Sequence, residues 1–409
     1  MPANGQRADL VVVGAGIVGL AVAREWIARY PHDSVTVLER ESAPAQHQSG
    51  HNSGVIHGGI YYQPGSLKAR LCVEGARLMY EYCDHHAIPY ERCGKLIVAL
   101  SADELPRLDD LEVRGVANAV PGLRRITGAE ISEIEPNAVG LQALHAPNTG
   151  IVDYGAVTRC LADELTASGV CLRFGTEVTS VEGGDHAVVH TSGGPVAART
   201  VIVCAGLWSD RLARAAGAPR DPQIVPFRGA YLGLKPTPTP RLKGMIYPVP
   251  NPELPFLGVH ITKHIGGTVT LGPTAMMVAA RDAYTLRRVR WRDTWESLTW
   301  PGTWRVAGRY WRVGIDEMRM AASQRAFVAA AARYMPGLSF ADLDGTSHAG
   351  VRAQAVGRDG SLVDDFVISG GSGVAHVRNA PSPAATSAFA LARELVDRVV
   401  DDGSGRLSR

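Results

Sequence analysis

Residues 9–20 read D-L-V-V-V-G-A-G-I-V-G-L, and this stretch decides the fold. Asp9 to Val13 reads as a strand buried on both faces, because Leu10 to Val13 is unbroken apolar sequence. Gly14, Gly16 and Gly19 follow at G-x-G-x-x-G spacing, and Leu20 to Tyr30 reads as a helix. The first glycine permits a tight turn, the second lets a pyrophosphate touch backbone, and the third lets helix pack on strand. The helix N-terminus then presents free N–H groups to phosphate. A second strand, Ser34 to Leu38, ends at Glu39 with Arg40 behind it. An acid there accepts hydrogen bonds from a ribose and disfavours a 2′-phosphate, hence NADP. The expected nucleotide contacts at this end are Gly14, Ala15, Gly16, Ile17, Val18, Gly19, Glu39 and Arg40. The apolar run Leu10–Ala23 after Arg7 also imitates a secretion signal. Its glycine spacing fits strand, turn and helix better, and it is shorter than the roughly 20 residues a bilayer span needs.

Working outward, the chain has 409 residues, enough for about two to three domains of roughly 100–200 residues each. Hydrophobic residues make up 45% and charged residues 20%, an ordinary globular balance. With 42 basic and 40 acidic residues the net charge is +2, which excludes nucleic-acid or membrane binding driven by bulk charge. The 45 glycines, about 11% against about 7% in average chains, have no G-X-Y period. They point instead to many close backbone approaches, and Gly14, Gly16, Gly19, Gly54, Gly58, Gly59, Gly206 and Gly350 are candidates for them. None of the six cysteines is in C-x-x-C spacing, so no metal or redox pair is expected. They read as reduced thiols of a cytoplasmic protein.

The nucleotide fold resumes late. Val170–Glu177 and Ala187–Thr191 read as short strands near Gly183-Gly184 and Gly193-Gly194, and V-I-V-C-A-G at 201–206 reads as a further strand. Such interleaving favours a flavoprotein over a single-piece nicotinamide domain. No second G-x-G-x-x-G follows a strand, so the electrons are expected from the substrate. Two interleaved domains are expected, one over 1–90, 150–222 and 345–400 and the second over 91–149 and 223–344. The second domain is expected on a mixed or antiparallel sheet, with Lys95–Leu100 and Thr268–Leu271 among its strands. Gly140–His145 should cross back towards the first domain. Pro236 to Pro240 reads as a loop, and 401–409 as a flexible tail. There are no internal repeats.

At Ser49 to Tyr62 the sequence is S-G-H-N-S-G-V-I-H-G-G-I-Y-Y, followed by P-G-S-L-K-A-R. Further on stand C-G-K-L-I-V-A (93–99), T-G-I-V-D-Y (149–154), P-F-R-G (226–229), Y-P-V-P (247–250) and P-F-L-G-V-H (255–260). A-G-V-R-A-Q-A (349–355) and H-V-R-N-A-P-S-P-A-A-T-S-A (376–388) close the series. Across nearly the whole chain this resembles the FAD-dependent L-2-hydroxyglutarate dehydrogenase/oxidase family, within the D-amino-acid oxidase-like flavoproteins. The resemblance implies an α/β fold in which a Rossmann-like FAD-binding domain is interleaved with an α+β substrate domain; it also implies noncovalent FAD and oxidation of L-2-hydroxyglutarate to 2-oxoglutarate, with hydride passing from C2 to flavin N5. Electrons would go on to a quinone, oxygen or another flavoprotein. It also implies flavin contacts at Ser49, Asn52, Ser53, Gly54, Val55, Val178, Ala205, Gly206, Gly350, Arg352, Pro381, Ser382, Pro383, Ala384 and Ala385. The chain departs from the family pattern at Ala230, Thr274, His348 and 279–284, which bears on the substrate more than on the reaction. The S-x-x-x-S-x-x-I-H-G-G pattern also resembles flavin-dependent glycerol-3-phosphate dehydrogenases. Glycerol 3-phosphate, another 2-hydroxy acid or an amino acid is therefore the rival substrate.

Such an oxidation needs a base for the hydroxyl proton and a cation for the carboxylate. His57 and His260 are the candidate bases, since a neutral imidazole accepts a proton near pH 7. The residues alone do not choose between them. Arg352 offers a planar fork to one carboxylate, and Arg228 and Lys263 are candidates for the second. Pro383 should open a helix running to Val400, its small neighbours letting the helix N-terminus approach the flavin.

One segment remains outside this scheme. Trp291, Trp295, Trp300, Trp304 and Trp311 fall among seven arginines between 287 and 312, with only Asp293 and Glu296 to balance them. One reading is a helical pair with Trp packed inward. The other is a peripheral contact with an anionic membrane on its cytoplasmic face, Trp at the headgroups and Arg on the lipid charge. No nucleic-acid fold signature accompanies the charge.

Overall fold

The structure, a computed structural model, describes residues 7–184, 186–237, 242–254, 257–371 and 373–403. The decisive stretch folds as strand β1 (Ala8–Val13), turn and helix α1 (Ile17–Arg29). The helix starts three residues earlier than its sequence suggested, because Ser49 from a distant loop accepts the Ile17 N–H at 2.9 Å and caps it. β1 lies between two parallel partners, Val35–Leu38 and Val196–Val203. Leu10, Val11 and Val12 are wholly buried, as the apolar run requires.

Eight strands make this nucleotide sheet. Cys171–Arg173 adds to one side in parallel. On the other side the edge of Val196–Val203 is shared: its first half pairs antiparallel with Ala187–Thr191 and its second half parallel with Val374–Asn379. The stretch 170–177 holds only Cys171–Arg173, and the next strand is Val178–Glu182. At 201–206, strand gives way after Val203 to a short helical turn, Gly206–Trp208. Helices α1, Tyr154–Ala167 and Ala388–Gly403 share one apolar core on this sheet.

The glycines serve the protein's own packing more than expected. A side chain at Gly14 (φ +104°) would put Cβ 2.5 Å from the Cys204 carbonyl oxygen, and one at Gly19 would put it 2.0 Å from that of Gly14. Cβ atoms at Gly54, Gly59 and Gly350 would likewise meet Val152, Val73 and His51 within 3.0 Å, and the nearest atom to one at Gly58 belongs to Val120. Tight chain crossings account for these positions.

The second sheet has nine strands and is mixed. Lys95–Ala99 pairs in parallel with Met245–Pro248, and the remaining pairings are antiparallel. The predicted strands at 95–100 and 268–271 appear as Lys95–Ala99 and Val269–Gly272. The strand foreseen over 140–145 is Gln142–Ala146, and it lies inside this sheet. Crossing back is done by a three-stranded sheet of Val55–Ile56, Gly150–Val152 and Tyr90–Glu91. Leu343–Val356 runs along Gln223–Leu234, so residues 345–356 belong to the nine-stranded sheet and not to the nucleotide sheet.

Two further expectations shift. Residues 382–387 form turns, and the C-terminal helix opens at Ala388, so Pro383 precedes the helix by several residues. The same helix takes in 401–403, while 404–409 lie outside the described residues, as do 238–240 of the proline-rich stretch and Pro255 and Phe256.

The tryptophan segment inverts the usual helix. Trp291–Leu298 buries Asp293, Glu296 and Ser297, while Trp291 and Trp295 are 84% and 70% exposed. The acids turn inward because Arg211 holds both of them and Arg281 holds Glu296 from beneath. Trp304 and Trp311 are exposed as well, so inward packing describes only Trp300. Trp300 precedes the helix Pro301–Arg309 and is buried, donating Nε1–H to the Val356 carbonyl at 3.0 Å, so it does not share an outer face with Trp304.

Candidate active site

A cavity of about 1130 Å³ opens between the nucleotide and nine-stranded sheets. Ordinary small-molecule sites hold roughly 300–1,000 Å³, so this one is large enough for an extended ligand with a second molecule beside it. Of the catalytic, substrate and cofactor residues singled out from sequence, all but Ala15, Gly54, Gly58, Gly59 and Lys263 line it.

At the nucleotide end, Glu39 stands at the tip of Val35–Leu38 with its carboxylate aimed by backbone. Oε2 accepts from the Ala15 N–H at 2.7 Å and Oε1 from the Glu41 N–H at 2.9 Å. Ala15 therefore acts by holding Glu39. Arg40 lies 3.4 Å over the Trp208 ring and donates to Glu41. A Cβ at Gly16 would meet only Ser49 Oγ, at 3.2 Å, which leaves bare backbone facing the cavity. Ser49, Asn52, Ser53, Val55, Val178, Ala205 and Gly206 continue the lining. Pro381 to Ala385 contribute a wall of small side chains. Carboxylate, bare glycine loop and small-residue wall suit a dinucleotide flavin.

At the other end two histidines meet. His57 follows Val55–Ile56, and its backbone is clamped: its N–H donates to Thr386 Oγ1, and its carbonyl accepts from the Cys72 thiol. Its side-chain Nδ1 is buried without a hydrogen-bond partner among the described residues. Burial holds its pKa well below the ordinary histidine value, with the charges of Lys95, His260 and Lys68 acting the same way. His260 opens the strand His260–Lys263, stacks on Tyr247 at 3.9 Å between ring centroids, and is held to about 3 by burial. Its Nδ1 lies 3.0 Å from the Gly258 carbonyl oxygen. A carbonyl can only accept, so Nδ1 carries the hydrogen and Nε2 keeps a lone pair.

Sequence reasoning missed Lys95. It sits on Lys95–Ala99, 1% exposed, with Nζ 4.2 Å over the Tyr247 ring and 5.5 Å from that of Tyr61. Burial lowers it to about 7. A lysine inside an apolar strand was the available signal.

The expected cations separate. Arg352 faces a buried corner with Tyr62 and Asp364, and burial lowers its pKa. Phe227 is its register partner across the strands, so Arg228, one residue further on, points to the opposite face. There Arg228 Nε donates to the Tyr284 carbonyl at 3.3 Å. Lys263 lies outside the lining and pairs with Glu91 at 2.6 Å.

The departures from the family pattern have structural partners. Ala230 and Thr274 bond to each other twice: the Ala230 N–H donates to Thr274 Oγ1, and the Thr274 N–H donates to the Ala230 carbonyl, each at 3.1 Å. His348 stacks on Tyr231 at 4.9 Å. Within 279–284, Arg281 pairs with buried Asp210, and Tyr284 stacks on His51 at 4.0 Å. Of these residues Thr274 lines the cavity, while His348 and Tyr284 stack on the lining residues Tyr231 and His51.

A glycine-rich dinucleotide loop opening onto a large cavity at the junction of the two sheets fits one class, the flavin-dependent oxidoreductases. A family model described as FAD dependent oxidoreductase matches residues 9–398, and the chain belongs to that family, with FAD as its cofactor. It is 46% identical over 413 residues to L-2-hydroxyglutarate dehydrogenase, mitochondrial, of Nematostella vectensis, covering 96% of this chain and 90% of that protein. Identity to the Homo sapiens protein of the same name is 44% over 409 residues, covering 96% and 88%. For L-2-hydroxyglutarate dehydrogenase of Indibacter alkaliphilus it is 41% over 385 residues, covering 94% and 96%. Among solved structures, L-alpha-glycerophosphate oxidase from Mycoplasma pneumoniae with FAD bound superposes with TM-score 0.77 at 24% identity, covering 97% of this chain and 95% of that one. Glycine oxidase from Geobacillus kaustophilus gives TM-score 0.72 at 20% identity over the same shares. These two share the fold. Among the described residues no helix is long and apolar enough to cross a membrane.

Proposed function

We propose that this protein oxidises L-2-hydroxyglutarate to 2-oxoglutarate. Identities of 40–46% to proteins named for that substrate carry the reading. Glycerol 3-phosphate is not favoured, since its representative shares only the fold at 24% identity. Bound FAD, held without a covalent link, supplies the acceptor for the two electrons that leave C2. Arg352 clamps the carboxylate beside C2 through its guanidinium fork. His260 Nε2 takes the hydroxyl proton, because its hydrogen bond to Gly258 leaves that nitrogen unprotonated. His57, Tyr247 and buried Lys95 close the water-poor wall around it.

Anaerobic mixing tests the reading. L-2-hydroxyglutarate should bleach the bound flavin, while its D form and glycerol 3-phosphate should leave it oxidised. Bleaching by glycerol 3-phosphate instead would reverse the assignment. His260→Ala should slow the bleaching about 100-fold or more; an unchanged rate removes His260 as the base. Acid precipitation should release the flavin to the supernatant.

The electron acceptor in this reading is a quinone in a bilayer. The exposed tryptophans 291, 295, 304 and 311 support it, as do Arg290, Trp291 and Arg292, which reach the cavity's edge. Indoles suit the headgroup layer and arginines an anionic surface. Six free thiols suit a cytoplasmic location, with the chain peripheral on that face of the membrane. The holoenzyme should co-sediment with vesicles containing anionic lipid and dissociate as salt rises. No binding to such vesicles, with oxygen as an efficient acceptor, would reject the membrane route.

A further inference from the structure

A dicarboxylate asks for two cations, and of the three foreseen from sequence only Arg352 faces the corner beside Tyr62 and Asp364. The cavity supplies another. Lys68 follows the N-cap Ser66 of the helix Leu67–His85, where most lysines reach solvent, yet it is 4% exposed and lines the cavity. Its ammonium donates to Asp364 Oδ1 at 2.7 Å and lies 4.6 Å over the Tyr62 ring. The same Tyr62 and Asp364 act electrostatically on Arg352, and Lys68 acts on His57. Lys68, Arg352, His57 and His260 all line the same cavity. The partner of Lys68 is unequal to it: the Asp364 side chain is 72% exposed, while that of Lys68 is 5% exposed. Released from the pair, Asp364 regains full hydration, whereas a buried ammonium needs another anion.

Resting on the hydroxyglutarate reading, we propose that Lys68 receives the substrate's distal carboxylate, displacing Asp364, while Arg352 holds the carboxylate beside C2. Asp364 is then the counter-ion of the empty site. Lys68 selects five-carbon dicarboxylates over 2-hydroxy acids that end in a methyl group. No bond is made or broken in this exchange of ion-pair partners.

The test compares L-2-hydroxyglutarate with L-2-hydroxybutyrate, which lacks the distal carboxylate, on the flavin-loaded enzyme. Lys68→Met should lower kcat/KM for the dicarboxylate about 30-fold, the effect of one charge-assisted hydrogen bond. It should change kcat/KM for the monocarboxylate less than about threefold, and Lys68→Arg should restore much of the preference. An equal fall for both substrates would make Lys68 structural and overturn the proposal. Should Lys68→Met fail to fold, Asp364→Asn answers instead: freed of its competitor, Lys68 should bind glutarate several-fold more tightly by calorimetry, with butyrate unaffected. Unchanged glutarate affinity would overturn the proposal. Glutarate is not oxidised, so its binding reports on Lys68 separately from turnover. A wild-type flavin left oxidised by L-2-hydroxyglutarate would sink the parent reading alone.

Discussion

Arg352→Lys should raise the apparent KM for L-2-hydroxyglutarate several hundred-fold while FAD stays bound. The charge is kept, so the loss measures the fork. Two parallel charge-assisted bonds become one from a point donor, a change of about 3–4 kcal/mol in a desolvated site. Arg352 is fixed for this task by its place in Leu343–Val356, zipped to Gln223–Leu234 over most of its length. A lysine on that rigid backbone has no freedom to advance. Steady-state kinetics at saturating acceptor give the answer, and an unchanged KM would remove Arg352 from substrate binding.

Arg281→Met should destabilise the folded protein by about 3–5 kcal/mol, read as a lower midpoint in urea at unchanged slope. Arg281 is 1% exposed and donates to both Asp210 carboxylate oxygens, to Glu296 and to the Leu207 carbonyl. Methionine fills much of the volume but leaves Asp210 without its main cation in a buried setting. Arg292→Met is the control. Its side chain is 73% exposed and reaches the same Glu296 at 3.4 Å, so the cost should stay within about 0.5 kcal/mol. Equal effects from both would mean that the buried network carries no special weight.

What could be read from the sequence was whatever local spacing encodes. The glycine loop, Glu39 and the two histidines sit within short strings whose residue order is their geometry. Lys95 carried a signal in its apolar strand, but nothing near Lys68 in sequence states that it is buried; Asp364, its ion-pair partner, comes from far along the chain. Arg228 was placed beside Arg352 for its charge, and only the pairing of Phe227 with Arg352 shows that it points elsewhere. Trp291 and Trp295, like Trp300 and Trp304, stand four residues apart, but such spacing defines a helical face without saying which way it turns. Distant Arg211 and Arg281 settle that by drawing Asp293 and Glu296 inward. Ala230 and Thr274 looked like two independent departures until their reciprocal hydrogen bonds joined them.

The shared edge of Val196–Val203 has a consequence for biosynthesis. Half of that edge waits for Val374–Asn379, and α1 waits for the helix Ala388–Gly403 to cover it. At roughly 5–20 residues per second, β1 spends on the order of 20–70 s outside the ribosome before its sheet can close. Until then half of the Val196–Val203 edge lacks its partner and part of the apolar face of α1 lacks its cover. A chain cut short before Val374 would therefore leave apolar surface uncovered however well its N-terminal half pairs.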